Sequence, residues 1–171
     1  AALAGMLAKT AGVVVCGLRA ALTALPDPQA FAARLMTLRA GDAFDPTMLA
    51  RHLQSLGYGR VPRVSVRGEF ALRGEVLDIA MAGDSDGVRV VFDFDEIKQI
   101  KAFDLGSQTT SRTMDSVTLI PLREVVWDDA SIAAFAAAAD RHSEFRKPDE
   151  LLEQLREVGA VDGDEVYFPL S

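Results

Sequence analysis

The sequence is poor in the residues that most often carry chemistry. It holds one cysteine, Cys16, in 171 residues, which excludes an internal disulfide and points to a reducing compartment. Cys16 lies in the apolar run GVVVC, where a buried, inert thiol is expected. The two histidines, His52 and His142, fall on separate expected helices with no cysteine or carboxylate at ligand spacing, so a zinc-type centre lacks its donors. No apolar run reaches the roughly 18 to 20 residues of a membrane-spanning helix, and a cytoplasmic protein without membrane contact is expected. Basic residues are in deficit, 18 Lys and Arg against 25 Asp and Glu, for a net charge of -7. Such a chain is repelled as a whole by a phosphate backbone, so binding nucleic acid would need a local basic patch. The opening AALAGMLAK has neither an initiator methionine nor the basic-then-apolar pattern of a secretory signal, and reads as the start of a piece cut from a longer polypeptide.

What is present is enough for a folded core, with 49% hydrophobic residues. ALAGMLAKT reads as a helix end, GVVVC as a short buried strand and LRAALTAL as a helix closed by PDP. RLMTLRAGD follows as a strand with Leu35, Met36 and Leu38. In FDPTMLARHLQSLGYG, Asp45 is placed to cap a helix, Pro46 takes its first position and Gly57 ends it, with Leu49, Leu53 and Leu56 at helical spacing. From Val61 to about Ile120 the period changes to two. Arg63, Ser65 and Arg67 alternate with Val64 and Val66, and Phe70 and Leu72 oppose Glu69, Ala71 and Arg73. Gly68 and Gly74 mark turns or bulges, GDSDG a polar turn, VRVVFDF a strand and DEIKQIKAFD a strand whose irregular Ile97, Ile100 and Phe103 imply a bulge. SVTLIP closes the antiparallel meander. Two helices complete the chain: one capped by Asp128 or Asp129 with a stripe of Ile132, Phe135, Ala136 and Ala139, the other from Pro148 to Gly159 before the short tail VYFPL. The expected class is α+β, an antiparallel sheet domain with a capped helix, flanked by partial α/β segments.

Catalytic patterns are missing. GMLAKT has Lys9 and Thr10 in phosphate-loop order, but Leu3 and Ala8 stand where glycines must let backbone N–H groups wrap a phosphate. Asp93, Asp95 and Glu96 have no calcium-loop spacing and read as a solvated hairpin turn. No nucleophile elbow is present, and spacing alone does not set Glu75 and Asp78 around a substrate. There remain Arg60, Arg63, Arg67, Arg73 and Arg89, with Arg63 and Arg67 on one expected strand face. Their pattern fits two readings, the solvated side of an amphipathic sheet or a docking surface whose guanidinium forks take carboxylates of a partner.

The stretches LGYGRVPRVSVRGEFALRGEVLDIA, VRVVFDFDEIKQIKAFDLGSQTT and IPLREVV, with GVVVCGLRAALTALPDPQAF before them and GDEVYFPL after, resemble the UvrB-homology module of the bacterial transcription-repair coupling factor (Mfd) family. The excision repair helicase UvrB is the near alternative. The resemblance implies three parts: residues 1–34 as the end of a helicase-like domain one, 35–125 as the α/β domain two that binds UvrA, and 126–171 as helices returning to domain one. It implies a non-catalytic role for this chain, with no cofactor or metal of its own. ATP and magnesium would serve the translocating motor elsewhere in the parent, and RNA polymerase and DNA would be held by other parts of it. Arg60 and Arg73 match family arginines used against UvrA, with Arg89 and Arg67 as further candidates. The chain departs from the UvrB pattern at Ala71 for an arginine, Val91 for a glutamate and Ala80-Met81 for Phe-Pro, so a less basic face and an altered strand end are expected.

Overall fold

A computed structural model describes residues 2–9, 13–22, 25–123, 127, 129–141 and 148–158. His142, Asp128, Gly159 and the terminal GDEVYFPL lie outside the described residues. The chain divides into two compact units, one drawn from Ala1–Gly12 and Ala32–Leu122, the other from Val13–Phe31 and Arg123–Ser171.

The first unit contains a short helix α1 (Ala2–Leu7) and a sheet domain. Strand β1 (Met36–Arg39) leads to the helix that sequence punctuation marks out, α4 (Pro46–Ser55); α2 (Leu18–Leu22) and all of α3 (Pro28–Ala32) but its last residue belong to the second unit. The Asp45 carboxylate accepts from Thr47 N at 2.6 Å and Met48 N at 3.2 Å, satisfying two N–H groups that a helix start leaves open. Gly57 follows the helix at φ 94°, a left-handed conformation that costs glycine little. Leu49, Leu53 and Leu56 are buried against the sheet, each worth roughly 1.5 to 3 kcal/mol relative to exposure.

Six strands form the main sheet in the order β2 (Gly59–Arg60), β3 (Glu69–Arg73), β4 (Val76–Ile79), β5 (Gly87–Asp93), β6 (Glu96–Phe103) and β7 (Thr110–Met114). β3 through β7 run antiparallel, as the alternation predicts for β3 to β6. The expected bulge is present: Val91 pairs with Gln99 but Phe92 with Ile97, and the extra Lys98 lets Ile97 and Ile100 both enter the core despite their spacing of three. One side of the sheet, carrying Phe70, Leu77, Ile79, Val88, Val90 and Phe92, packs with α4.

Three expectations for this unit are corrected. Residues 61–68 are a loop and not a strand. Val64 is buried but Val66 is 58% exposed, so the alternation has no second strand to serve. The Glu69 carboxylate shapes this loop by accepting from Ser65 N, Ser65 Oγ and Val66 N, and Arg63 and Arg67 therefore share no strand face. The sheet is also not wholly antiparallel, because the two-residue β2 runs parallel to β3. Finally, β8 (Ser116–Leu119) does not extend the meander: it pairs with β1 in a separate ladder, while the polar edge strand β7 takes the place beside β6.

The second unit contains α2 (Leu18–Leu22), α3 (Pro28–Ala32, reaching into the first unit at Ala32), α5 (Asp129–Ala139) and α6 (Pro148–Val158). Asp27 caps α3 through Gln29 N and Ala30 N, so PDP opens a helix as well as ending the stretch before it. Ile132 and Phe135 of α5 meet Leu152 and Leu155 of α6 around Trp127, whose ring lies edge-on to Phe135 at 5.5 Å. The buried strand expected at GVVVC is absent: residues 13–17 have no regular structure, Val13 and Val15 are about nine-tenths exposed, and Cys16 is exposed too.

A candidate protein-docking face

The helix-covered side of the sheet leaves the other side to its polar parity. Along β3, β4, β5 and β6 the alternate residues are Ala71 and Arg73, Val76 and Asp78, Arg89 and Val91, and Gln99 and Lys101. Register aligns them in rows: Ala71, Asp78, Arg89, Lys101 and Thr113 stand opposite one another in turn, and Arg73, Val76, Val91 and Gln99 form the next row. Gly74 at φ 60° makes the tight β3–β4 turn that sets Arg73 beside this face.

Part of the face is covered. Val64 from the 61–68 loop packs with Ala71, Ala80 and Phe103 in a small apolar cluster joined by Val61 and Leu105. Phe103 lies directly on Gly87, where a Cβ would collide with its ring, so the glycine is required by close approach. Ala71 is fully buried in this cluster, so its departure from an arginine matches a roofed position. Ala80 continues the ladder beyond β4, its N–H donating to Glu69 O and its carbonyl accepting from Gly68 N, and Met81 joins the main core.

Beside the cluster lies Asp78, 1% exposed and the one buried charged residue among the described residues. Its Oδ1 accepts from Arg89 Nε at 2.6 Å, and its Oδ2 accepts from Arg89 Nη2 at 2.9 Å and Arg73 Nη2 at 2.7 Å. A carboxylate removed from water is costly unless its lone pairs are met by charged donors, and here three N–H groups meet them. The hydrogen bond to Asp78 raises the Arg89 guanidinium above its ordinary pKa, and the same group lies over the Phe103 ring at 4.8 Å. The Arg73 side chain is 51% exposed and that of Arg89 21%, so Arg73 is the outer prong and Arg89 the inner one.

The other arginines do not join them. Arg60 stands on β2 in register with Phe70, whose parity is that of the helix-covered side. Arg67 donates from Nε to the Asp84 carbonyl at 2.9 Å, and Arg63 lies in the same loop, exposed. Glu75 occupies the β3–β4 turn and is exposed, so it makes no pair with Asp78. Asp93 at the β5–β6 turn is bridged to Lys98 at 3.3 Å. Gly5 falls within α1, so no glycine loop forms there. His52 is half-buried on α4, and burial lowers its pKa. Sequence reasoning missed Asp78 as the partner of both arginines; the signal was its shared parity with Arg73 and Arg89 once the strands are paired.

An α+β domain that holds an ordered arginine pair on the side of its sheet away from the helix has the character of a protein-interaction module. The sequence model of the UvrB interaction domain matches residues 36–124, and the chain belongs to that family. It is similar to a transcription-repair-coupling factor of Mycobacterium bovis, 34% identical over 93% of this chain and 13% of the relative. A protein of the same description from Borreliella burgdorferi is 26% identical over 95% of the chain and 14% of the relative. UvrABC system protein B of Thermotoga petrophila is 29% identical over 84% of the chain and 22% of the relative. The chain thus spans about one seventh of the length of the coupling factors it matches.

Proposed function

We propose that this chain is the UvrA-docking module of a transcription-repair coupling factor, acting by recruitment and not by catalysis. The observation that carries the reading is the coincidence of the family match at 36–124 with a sheet whose exposed face presents Arg73 and Arg89. The module would bring excision repair to RNA polymerase halted at damaged DNA. Residues 35–125 would be domain two, and 1–34 and 126–171 parts of a helicase-like domain one. Polymerase contact, DNA translocation and ATP hydrolysis would belong to other parts of a cytoplasmic parent. Similarity to UvrABC system protein B supports one alternative, the equivalent module of the excision helicase UvrB. The parent reading frame separates them: a motor continuous with this module means the helicase, and a motor far downstream of a polymerase-binding region means the coupling factor.

Calorimetric titration of the chain with purified UvrA tests the proposal, with saturable binding expected and absence of a complex overturning it. Fluorescence anisotropy on duplex DNA at physiological ionic strength is the control. A chain of net charge -7 should not bind appreciably, and tight, salt-sensitive binding would replace docking by DNA recognition.

A further inference from the structure

We propose that Asp78 is the positioning residue of the docking face, holding Arg73 and Arg89 as one two-pronged receptor for a partner carboxylate. The inference rests on the UvrA-docking reading. At 1% exposure Asp78 cannot touch a partner itself. It spends both oxygens on the two guanidinium groups, fixing the Nε–Nη2 edge of Arg89 and the Nη2 of Arg73. Arg89 Nη1 and the Nε and Nη1 of Arg73 are not used in these bonds and remain to meet a ligand. Two positive charges and one negative leave the cluster with a net single positive charge, matched to a carboxylate. Long arginine side chains normally lose rotamer freedom on binding, and here that ordering is already made in the folded chain. The half-buried Val76 and Val91 in the row alongside dry one flank of the receptor, where a guanidinium–carboxylate bond is strongest.

Positioning and bulk charge predict opposite outcomes for Asp78→Asn. The substitution makes the face more positive, so charge alone would tighten binding to an acidic site. Loss of positioning instead weakens it by roughly five-fold to a hundred-fold, the lost ordering of two arginine side chains. Titration of UvrA with wild type, Asp78→Asn, Arg73→Ala and the double variant reads both. The double variant should bind more weakly than Arg73→Ala but by less than the sum of the two single losses, because Asp78 acts in part through that side chain. Equal or tighter binding by Asp78→Asn, or fully additive losses, overturns the role while the docking reading stands. Wild type that does not bind UvrA overturns both. Should Asp78→Asn not fold, side-chain NMR of wild type supplies the second reading. Restricted rotation about the Nε–Cζ bonds of Arg73 and Arg89 is expected in the free chain, and freely averaged guanidinium signals for either overturn the proposal.

Discussion

Asp78 on β4 and Arg89 on β5 are cross-strand neighbours that close a bidentate pair, with Nε–Oδ1 at 2.6 Å and Nη2–Oδ2 at 2.9 Å. Arg73 meets the same carboxylate through one nitrogen from a half-exposed side chain. The two arginines therefore differ in what they give the fold. Arg89→Ala removes the main partner of a buried charge and should lower unfolding free energy by about 3 kcal/mol. Arg73→Ala removes one of the three donors to that charge, from a half-exposed side chain that water can partly replace, and should cost less, about 1 to 2 kcal/mol. Urea unfolding of both variants measures the difference, and equal losses would show that Arg89 is not the main partner of Asp78.

For docking the order reverses, because Arg73 is the outer prong. Arg73→Glu should weaken UvrA binding by roughly 2 to 5 kcal/mol if the arginine forms a desolvated charge pair. The substitution also sets a new carboxylate beside the buried Asp78, so a stability loss accompanies it. Arg73→Gln separates the two, and the titration should show most of the affinity loss without the repulsion. Wild-type affinity in either variant removes Arg73 from the interface.

Glu69 gives the 61–68 loop an acid dependence. N–H groups of Val66 and then Ser65 hold its carboxyl below the ordinary 4.5. A folded value lower than the unfolded one contributes stability that is complete above about pH 4.5 and lost as pH falls through the folded value. Thermal melts between about pH 5 and pH 3 should therefore fall more steeply for wild type than for Glu69→Gln. Parallel curves would mean that the loop bonds survive protonation.

The parts of this fold that were legible in sequence are those whose signal is local. Asp45, Pro46 and Gly57 bracket α4 without reference to anything distant, and the bulge at Lys98 is visible as a broken period. What was not legible depends on pairing at a distance. The valines of residues 61–68 alternate like a strand, yet Glu69 turns that segment back through three short-range bonds. Strand β7, TSRTM, has no apolar alternation because its side chains are mostly exposed at a sheet edge. At the site, motif and parity singled out Arg73. The buried acid that organises it lies 5 residues away from Arg73 and 11 from Arg89, separations that mean nothing until β3, β4 and β5 are in register. Arg60 matched the motif equally well, but parity sets it toward the other side.

Phe94 offers a test of backbone strain separate from docking. It is the first of two residues joining β5 to β6, holds φ at 54°, and leaves its ring 81% exposed. For a non-glycine residue this left-handed conformation costs roughly 1 to 2 kcal/mol, and an exposed ring returns little of it through packing. Glycine at 94 relieves the steric cost and gives back part of the gain, roughly 0.5 to 1 kcal/mol, through the greater freedom of the unfolded chain. Phe94→Gly should thus raise the melting temperature slightly, by about 1 to 3 °C in a chain of this size. Phe94→Ala is the control, since it removes the ring but keeps the Cβ that makes a positive φ costly. A rise with glycine and none with alanine locates the strain in the backbone; equal rises would place the cost in the exposed ring instead.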